Sequence, residues 1–148
     1  LSGGGLISGV ALALKSAAPH IRVIGVSMTR APVMYHSLRA GRPIEMEEKE
    51  TLADALAGGL GPDNRHTFRM VQTYVDNTLL VSEAEIATGM AFALEQHRLV
   101  VEGGGAVGIA ALLHHKIQLS GQHVAVVVSG SNVELDTLIK IVKGELLS

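Results

Sequence analysis

Ser2-Gly3-Gly4-Gly5-Leu6 is a glycine-rich turn that runs straight into a helical pattern, Gly5 to about Ala18. Leu6, Val10, Ala13 and Leu14 recur at the spacing of one apolar helix face, and Pro19 stops the pattern. A turn of this kind normally follows a strand, and none precedes Ser2. Outward from it, Ile21–Ser27 reads as a buried strand, Ala31–Gly41 as a polar or helical segment, and Glu45–Glu50 as a solvated face. Ala57–Asn64 reads as a loop, His66–Val75 as a short helix and Asn77–Val81 as a second strand. Ser82 followed by Glu85 has capping-box spacing and opens a helix to about His97. Leu99–Glu102 is short and apolar, Gly105–His115 helical, Val124–Val128 the clearest buried strand, and Glu134–Val142 the final helix. Strands alternating with helices predict an α/β fold, a mostly parallel sheet with flanking helices.

The bulk properties narrow the function classes. The chain has 148 residues, 47% hydrophobic and 18% charged, enough apolar material for a core and too little charge for disorder. A net charge of −2 leaves no electrostatic footprint for nucleic acid. No apolar run is long enough to span a bilayer, and no basic amphipathic stretch suits a membrane surface. Cysteine is absent, which excludes disulfides and thiol chemistry. Leu1 is not Met and no leader pattern is present. The expectation is a fragment of a cytoplasmic enzyme.

The opening turn has a chemical use. The first amides of a helix lack intrahelical partners, and the macrodipole adds partial positive charge there. Glycines let the backbone approach an anion without a Cβ in the way, and Ser2 adds a hydroxyl donor. This is a phosphate cradle, with a tight strand-to-helix turn as the plain alternative. A nucleotide P-loop needs Gly-Lys-Ser/Thr, which does not follow. A dinucleotide fingerprint wants a third glycine where Ser8 stands, and an acid after the next strand, which ends at Ser27; NAD is disfavoured.

Two further junctions carry chemistry. Val124–Val128 runs into Ser129-Gly130-Ser131-Asn132, a hydroxyl where α/β sheets hold ligands. Glu102-Gly103-Gly104-Gly105 joins an apolar stretch to a helix and adds a carboxylate. Either alone is more often structural, a polar turn for Ser129 and a helix-start acid for Glu102. SGGGLISG, VVEGGGAVGIAAL and VVVSGSN in that order resemble the pyridoxal-phosphate (PLP) enzymes of fold type II, closest to the threonine/serine dehydratases and serine racemases. The resemblance covers essentially the whole chain.

That resemblance implies PLP as cofactor. Ser2, Gly3, Gly4, Gly5 and Leu6 would bind its phosphate, and Ser129 would hydrogen-bond its pyridine nitrogen. A neutral hydroxyl does not force the nitrogen to carry a proton, so the ring is a weaker electron sink. This suits loss of a β-hydroxyl with proton abstraction at Cα, giving a 2-oxo acid and ammonia. Glu102 would lie near the ring in a positional or electrostatic role. Ala53-Asp54-Ala55 resembles an Ala-Asp-Gly turn that faces the cofactor, with a methyl at Ala55 where the family has glycine. Ser131 stands where the family motif has a second glycine.

Other departures shape the expectation. The family's Schiff-base lysine lies in a Ser-x-Lys motif upstream, and Lys15, Lys49, Lys116, Lys140 and Lys143 follow no such motif. Residues 1–148 are therefore expected to be the C-terminal part of the PLP-binding large domain. The preceding strand, the small domain and the lysine would lie outside them, and the chain alone would be inactive. Metal-activated relatives place acids after the strand ending at Ser27. Ser27–Val33 has none, so no metal is expected there. Gly58–Phe68 is similar to the hydroxyectoine-utilisation dehydratases, with a capping turn at Pro62-Asp63 as the plain alternative. The implied partners are a small amino-acid substrate and a second subunit; no nucleic acid or membrane is implied. Serine or aspartate racemisation, or a non-catalytic anion-binding remnant, are the rival readings.

The remaining polar residues have plain explanations. His114 and His115 point about 100° apart on a helix and cannot chelate one ion well. Ser8 sits in Ile7-Ser8-Gly9, outside any GxSxG nucleophile turn. The five methionines read as gap-fillers.

Overall fold

The computed structural model describes residues 1–119, 121 and 123–145. Its contacts divide the chain into two units, Leu1–Lys49 with Leu56–Leu80, and Glu50–Ala55 with Val81–Ser148. The class is α/β, with helices and parallel strands.

The first unit holds α1 (Gly5–Ala17), β1 (Ile24–Met28), α2 (Val33–Ala40), α3 (Thr67–Tyr74) and nearly all of β2 (Asn77–Val81). β1 and β2 are neighbours in a two-stranded sheet. Val33, Met34, Leu60, Phe68 and Val71 form its core, with Leu1, Ile7, Leu38, Met46 and Val75 packed around them. Each fully buried Val, Phe or Met side chain contributes about 1.5–3 kcal/mol.

α1 buries a different face from the one its leucines mark. Gly4, Ser8 and Ala11 are buried, while Leu6 is 62% exposed and Ala13 and Leu14 are also exposed. The reason is closeness. Small side chains let the helix start come within contact distance of α3, and hydropathy ranks leucine above serine and glycine wherever packing is decided by size.

Asp76 ties the far end of α1 to the strands. Its carboxylate accepts the Val23 N–H at 2.7 Å and pairs with the Lys15 ammonium at 2.7 Å. The hydrogen bond from Lys15, then that from Val23, holds the Asp76 carboxyl below its ordinary 3.8. A folded-state value below the unfolded one contributes stability that is complete above 3.8 and lost as pH falls through the depressed value. Asp76→Asn is expected to lower stability by about 0.2–1 kcal/mol at neutral pH, since the pair is partly exposed. The difference from wild type is expected to close in strong acid. Thermal unfolding across pH checks both statements.

The second unit holds α4 (Glu83–His97), α5 (Gly103–Leu113) and α6 (Leu135–Val142), with a 3-10 turn at Asp54–Leu56 leading out of it. The capping box at α4 is complete: Ser82 Oγ accepts the Glu85 N–H at 3.3 Å, and Glu85 accepts the Ser82 N–H at 2.7 Å. α4 packs on α5 at Gly89, where a Cβ would lie 3.0 Å from the Ala106 carbonyl oxygen.

Val124–Val128 is a correction. It forms no strand among the described residues, and Val124 and Val127 are 46% and 57% exposed. Apolar β-branched content marks a segment fit for a buried sheet, but a strand also needs a neighbour's ladder, and none of the described residues provides one. Only Val126 is half-buried, against the space left by Gly108. No helix among the described residues is long and apolar enough to cross a membrane.

Candidate functional site

In the first unit the turn Ser2–Leu6 is fastened beside β1. Ser27 Oγ, buried within that strand, donates to the Leu1 carbonyl at 2.8 Å. The glycines then divide their work. Gly4 has φ +88°, and a Cβ there would lie 2.8 Å from Val71 Cγ2 and 3.0 Å from Met34 Cε. Its place needs both left-handed backbone and the absence of a side chain. Gly3 and Gly5 are the reverse, for a Cβ on either would meet nothing within 4 Å.

No side chain caps α1. The Ser8 N–H donates to the Gly4 carbonyl at 3.0 Å, so the amides of Gly5, Leu6 and Ile7 precede the helix ladder. Leu6 is largely exposed beside them and Ser2 half-buried. An open, uncapped start on a helix of 13 residues is a place where an anion is stabilised by amide donors and the macrodipole. A phosphate fits this cradle, which a side chain at Gly3 or Gly5 would fill.

In the second unit the other candidates gather at the first turn of α5. Glu102 is the residue before that helix, but its carboxylate does not cap it. Glu102 Oε2 accepts the Asn132 N–H at 3.0 Å, and the Glu102 N–H donates to the Gly130 carbonyl at 3.3 Å. The carboxylate occupies the space where a Cβ on Gly130 would stand, 2.3 Å from Oε1, and Gly130 has φ +84°. Gly105 admits the Ser129 carbonyl, 2.2 Å from where its own Cβ would be. Ser129 itself is exposed, on a loop held from below by α5 and across its turn by Glu102. The helix-start reading of Glu102 is thereby replaced by a specific contact with the serine loop.

The turn carrying Ala53 and Ala55 meets the same helix start. A Cβ on Gly103 would lie 2.0 Å from the Leu52 carbonyl oxygen. Glu83, first residue of α4, accepts from Thr51 Oγ1 at 2.8 Å and from the Leu52 N–H at 2.7 Å. Ala53 is fully buried, Ala55 is exposed, and the Ala55 N–H donates to Asp54 Oδ1 at 2.8 Å. Sequence reasoning passed over Glu83, because Ser82 and Glu85 already explained that helix start. It also started α5 at Gly105 and left Gly103 in the preceding junction, two residues short of where the helix begins. Among the described residues no group of three or more His, Asp or Glu could hold a metal ion.

Comparisons with known proteins agree with one another. Residues 1–130 match the family described as pyridoxal-phosphate dependent enzyme. The chain is 45% identical over 147 residues to an L-threonine ammonia-lyase of Thermotoga maritima, covering 99% of this chain and 36% of that protein. It is 39% identical over 149 residues to an L-threonine ammonia-lyase of Geobacter sulfurreducens, covering 100% and 36%. Among solved structures, maize serine racemase superposes with a TM-score of 0.84 at 35% identity, covering 99% of this chain and 45% of that one. The chain thus spans 36% of the two ammonia-lyases and 45% of the serine racemase.

Proposed function

Since this chain belongs to the pyridoxal-phosphate dependent enzymes, we propose that the protein carrying it removes water from a β-hydroxy amino acid, threonine or serine, to give a 2-oxo acid and ammonia. The observation that carries this reading is the open, uncapped helix start at Gly3–Gly5, a phosphate seat in a chain whose relatives include threonine ammonia-lyases. Residues 1–148 are the C-terminal part of the cofactor-binding large domain. The lysine that carries the cofactor and the loop that binds the substrate carboxylate belong to the remainder of the protein, which works in the cytoplasm as a dimer.

The roles follow from the chemistry of each group. Ser2 and the amides of Gly3–Leu6 hold the phosphate dianion. Ser129 would donate its hydroxyl to the pyridine nitrogen, which imposes no positive charge on it. Glu102 keeps the Ser129 loop in place, and Ala55 lines the ring. When bound, the cofactor supplies an electron sink for charge developing at the substrate Cα. The neutral Ser129 hydroxyl would leave that sink weaker than a carboxylate partner would.

The test is direct. The full-length protein is expected to release ammonia with an equal amount of 2-oxobutanoate from L-threonine or of pyruvate from L-serine; absence of ammonia and 2-oxo acid with both substrates defeats the proposal. Ser129→Ala is expected to lower kcat about tenfold or more, a loss of about 1.4 kcal/mol, with the far-ultraviolet spectrum unchanged. Turnover at the wild-type rate would remove Ser129 from the site. The likeness to maize serine racemase favours a second reading, racemisation of serine, which a chiral assay of the same reaction mixture separates from elimination.

A further inference from the structure

We propose that Glu83 is a positioning residue for the cofactor, acting through the turn Thr51–Ala55. The proposal rests on the reading above that this turn faces the ring, and it assigns to α4 a task separate from capping.

Glu83 is not needed for the helix start. Ser82 and Glu85 complete the reciprocal capping box without it. Its carboxylate is instead committed to a segment 31 residues earlier, and both oxygens are used. Oε1 accepts from Thr51 Oγ1 at 2.8 Å and Oε2 accepts from the Leu52 N–H at 2.7 Å. Thr51 passes the constraint on, for its hydroxyl oxygen accepts the Ala53 N–H at 3.1 Å. One carboxylate therefore organises three successive donors of the turn. Hydrogen bonds donated to a carboxylate are roughly twice as strong as neutral ones.

The other side of the turn is fixed by contact. The Leu52 carbonyl lies where a Cβ on Gly103 would be, so the backbone of residues 52–53 rests directly on the first turn of α5. Held by Glu83 on one side and stopped by Gly103 on the other, the turn has a defined distance from that helix. Ala53 is fully buried in this grip, and two residues later Ala55 is exposed. The same helix start holds the Ser129 loop through Gly105. Glu83 and α5 together set where the Ala55 backbone stands relative to the serine that meets the pyridine nitrogen. Glu83 touches neither cofactor nor substrate; it determines the placement of a group that does.

The experiment uses the full-length holoenzyme with Glu83→Ala, Glu83→Asp and Thr51→Val. The first readout is the visible circular dichroism of bound pyridoxal phosphate, which reports the asymmetry of the ring's surroundings and is blind to global stability. Glu83→Ala is expected to change the sign or amplitude of that band and to weaken retention of the cofactor about tenfold on dilution, equivalent to about 1.4 kcal/mol. It is expected to lower kcat with KM for the amino acid changed less than about twofold, as for a group acting on the transition state alone. Glu83→Asp keeps both acceptor oxygens and is expected to recover most of the band. Thr51→Val removes one arm of the latch at nearly constant volume, and carries the test if Glu83→Ala does not fold. A wild-type dichroic band and wild-type kcat in whichever of these two variants folds, with only the melting temperature lowered, would overturn the proposal by reducing Glu83 to a structural role. Failure of the unaltered protein to bind pyridoxal phosphate is a different result, which removes the functional reading and this inference with it.

Discussion

Alanine at position 103 is expected to destabilise the second unit by about 3 kcal/mol or more, at or beyond the top of the usual cost of overpacking. The added Cβ would stand 2.0 Å from the Leu52 carbonyl oxygen and 2.4 Å from its carbon. Both are backbone atoms, so no side chain can rotate away; the Thr51–Ala55 turn must leave α5 or the helix must unwind by a turn. Displacing the turn also breaks its hydrogen bonds to Glu83. Urea denaturation of Gly103→Ala is expected to show a lower midpoint with an unchanged slope. Gly9→Ala is the control. Gly9 lies inside α1 with nothing within 4 Å of its would-be Cβ, and alanine there is expected to gain about 0.5–1 kcal/mol from helix propensity. A Gly103→Ala midpoint equal to wild type would show that the turn does not rest on the helix.

Gly4→Ala is the second substitution of large effect, and its damage is functional as well as structural. A φ of +88° costs an L-residue about 1–2 kcal/mol, before the contacts with Val71 Cγ2 and Met34 Cε are counted. Relief requires the turn to lift from α3, which re-aims the amides of Gly5, Leu6 and Ile7. Pyridoxal phosphate affinity of the full-length protein is expected to fall more than about tenfold, the equivalent of one charge-assisted hydrogen bond at about 1.5 kcal/mol. Gly3→Ala, with open space around its Cβ, is expected to fold normally. Equal cofactor affinity in Gly4→Ala and wild type, measured by fluorescence titration, would separate the turn from phosphate binding.

Much of this was legible in the chain itself, and the failures share a cause. Local signals read correctly: the second strand was bounded at Asn77 and Val81, the Ser82–Glu85 capping box was recognised, and α1 was expected from Gly5 with its stop at Pro19. Each of these depends on residues within a few positions of one another. The family followed from three glycine-serine junctions in order, and the comparisons bear it out. What the sequence did not disclose depends on distant partners. The buried stripe of α1 is selected by closeness to α3, against the ranking of its own leucines. Val124–Val128 has the composition of a central strand without a neighbouring ladder among the described residues. Glu83 reaches 31 residues back to Leu52, and no spacing rule foretells such a contact. The opening glycine turn was visible as a composition, whereas the split between Gly4, which packs, and Gly3 and Gly5, which stay open, needed coordinates.

The exposed run Val124-Ala125-Val126-Val127-Val128 has a consequence for anyone handling the chain by itself. It is uncharged, β-branched and free of proline, with two of its valines about half open to water. Such a segment is a template onto which like segments of other molecules can add, edge to edge. Concentrated solutions of this chain are therefore expected to turn cloudy and to bind amyloid-reporting dyes, and a lysine in place of Val127 is expected to keep them clear.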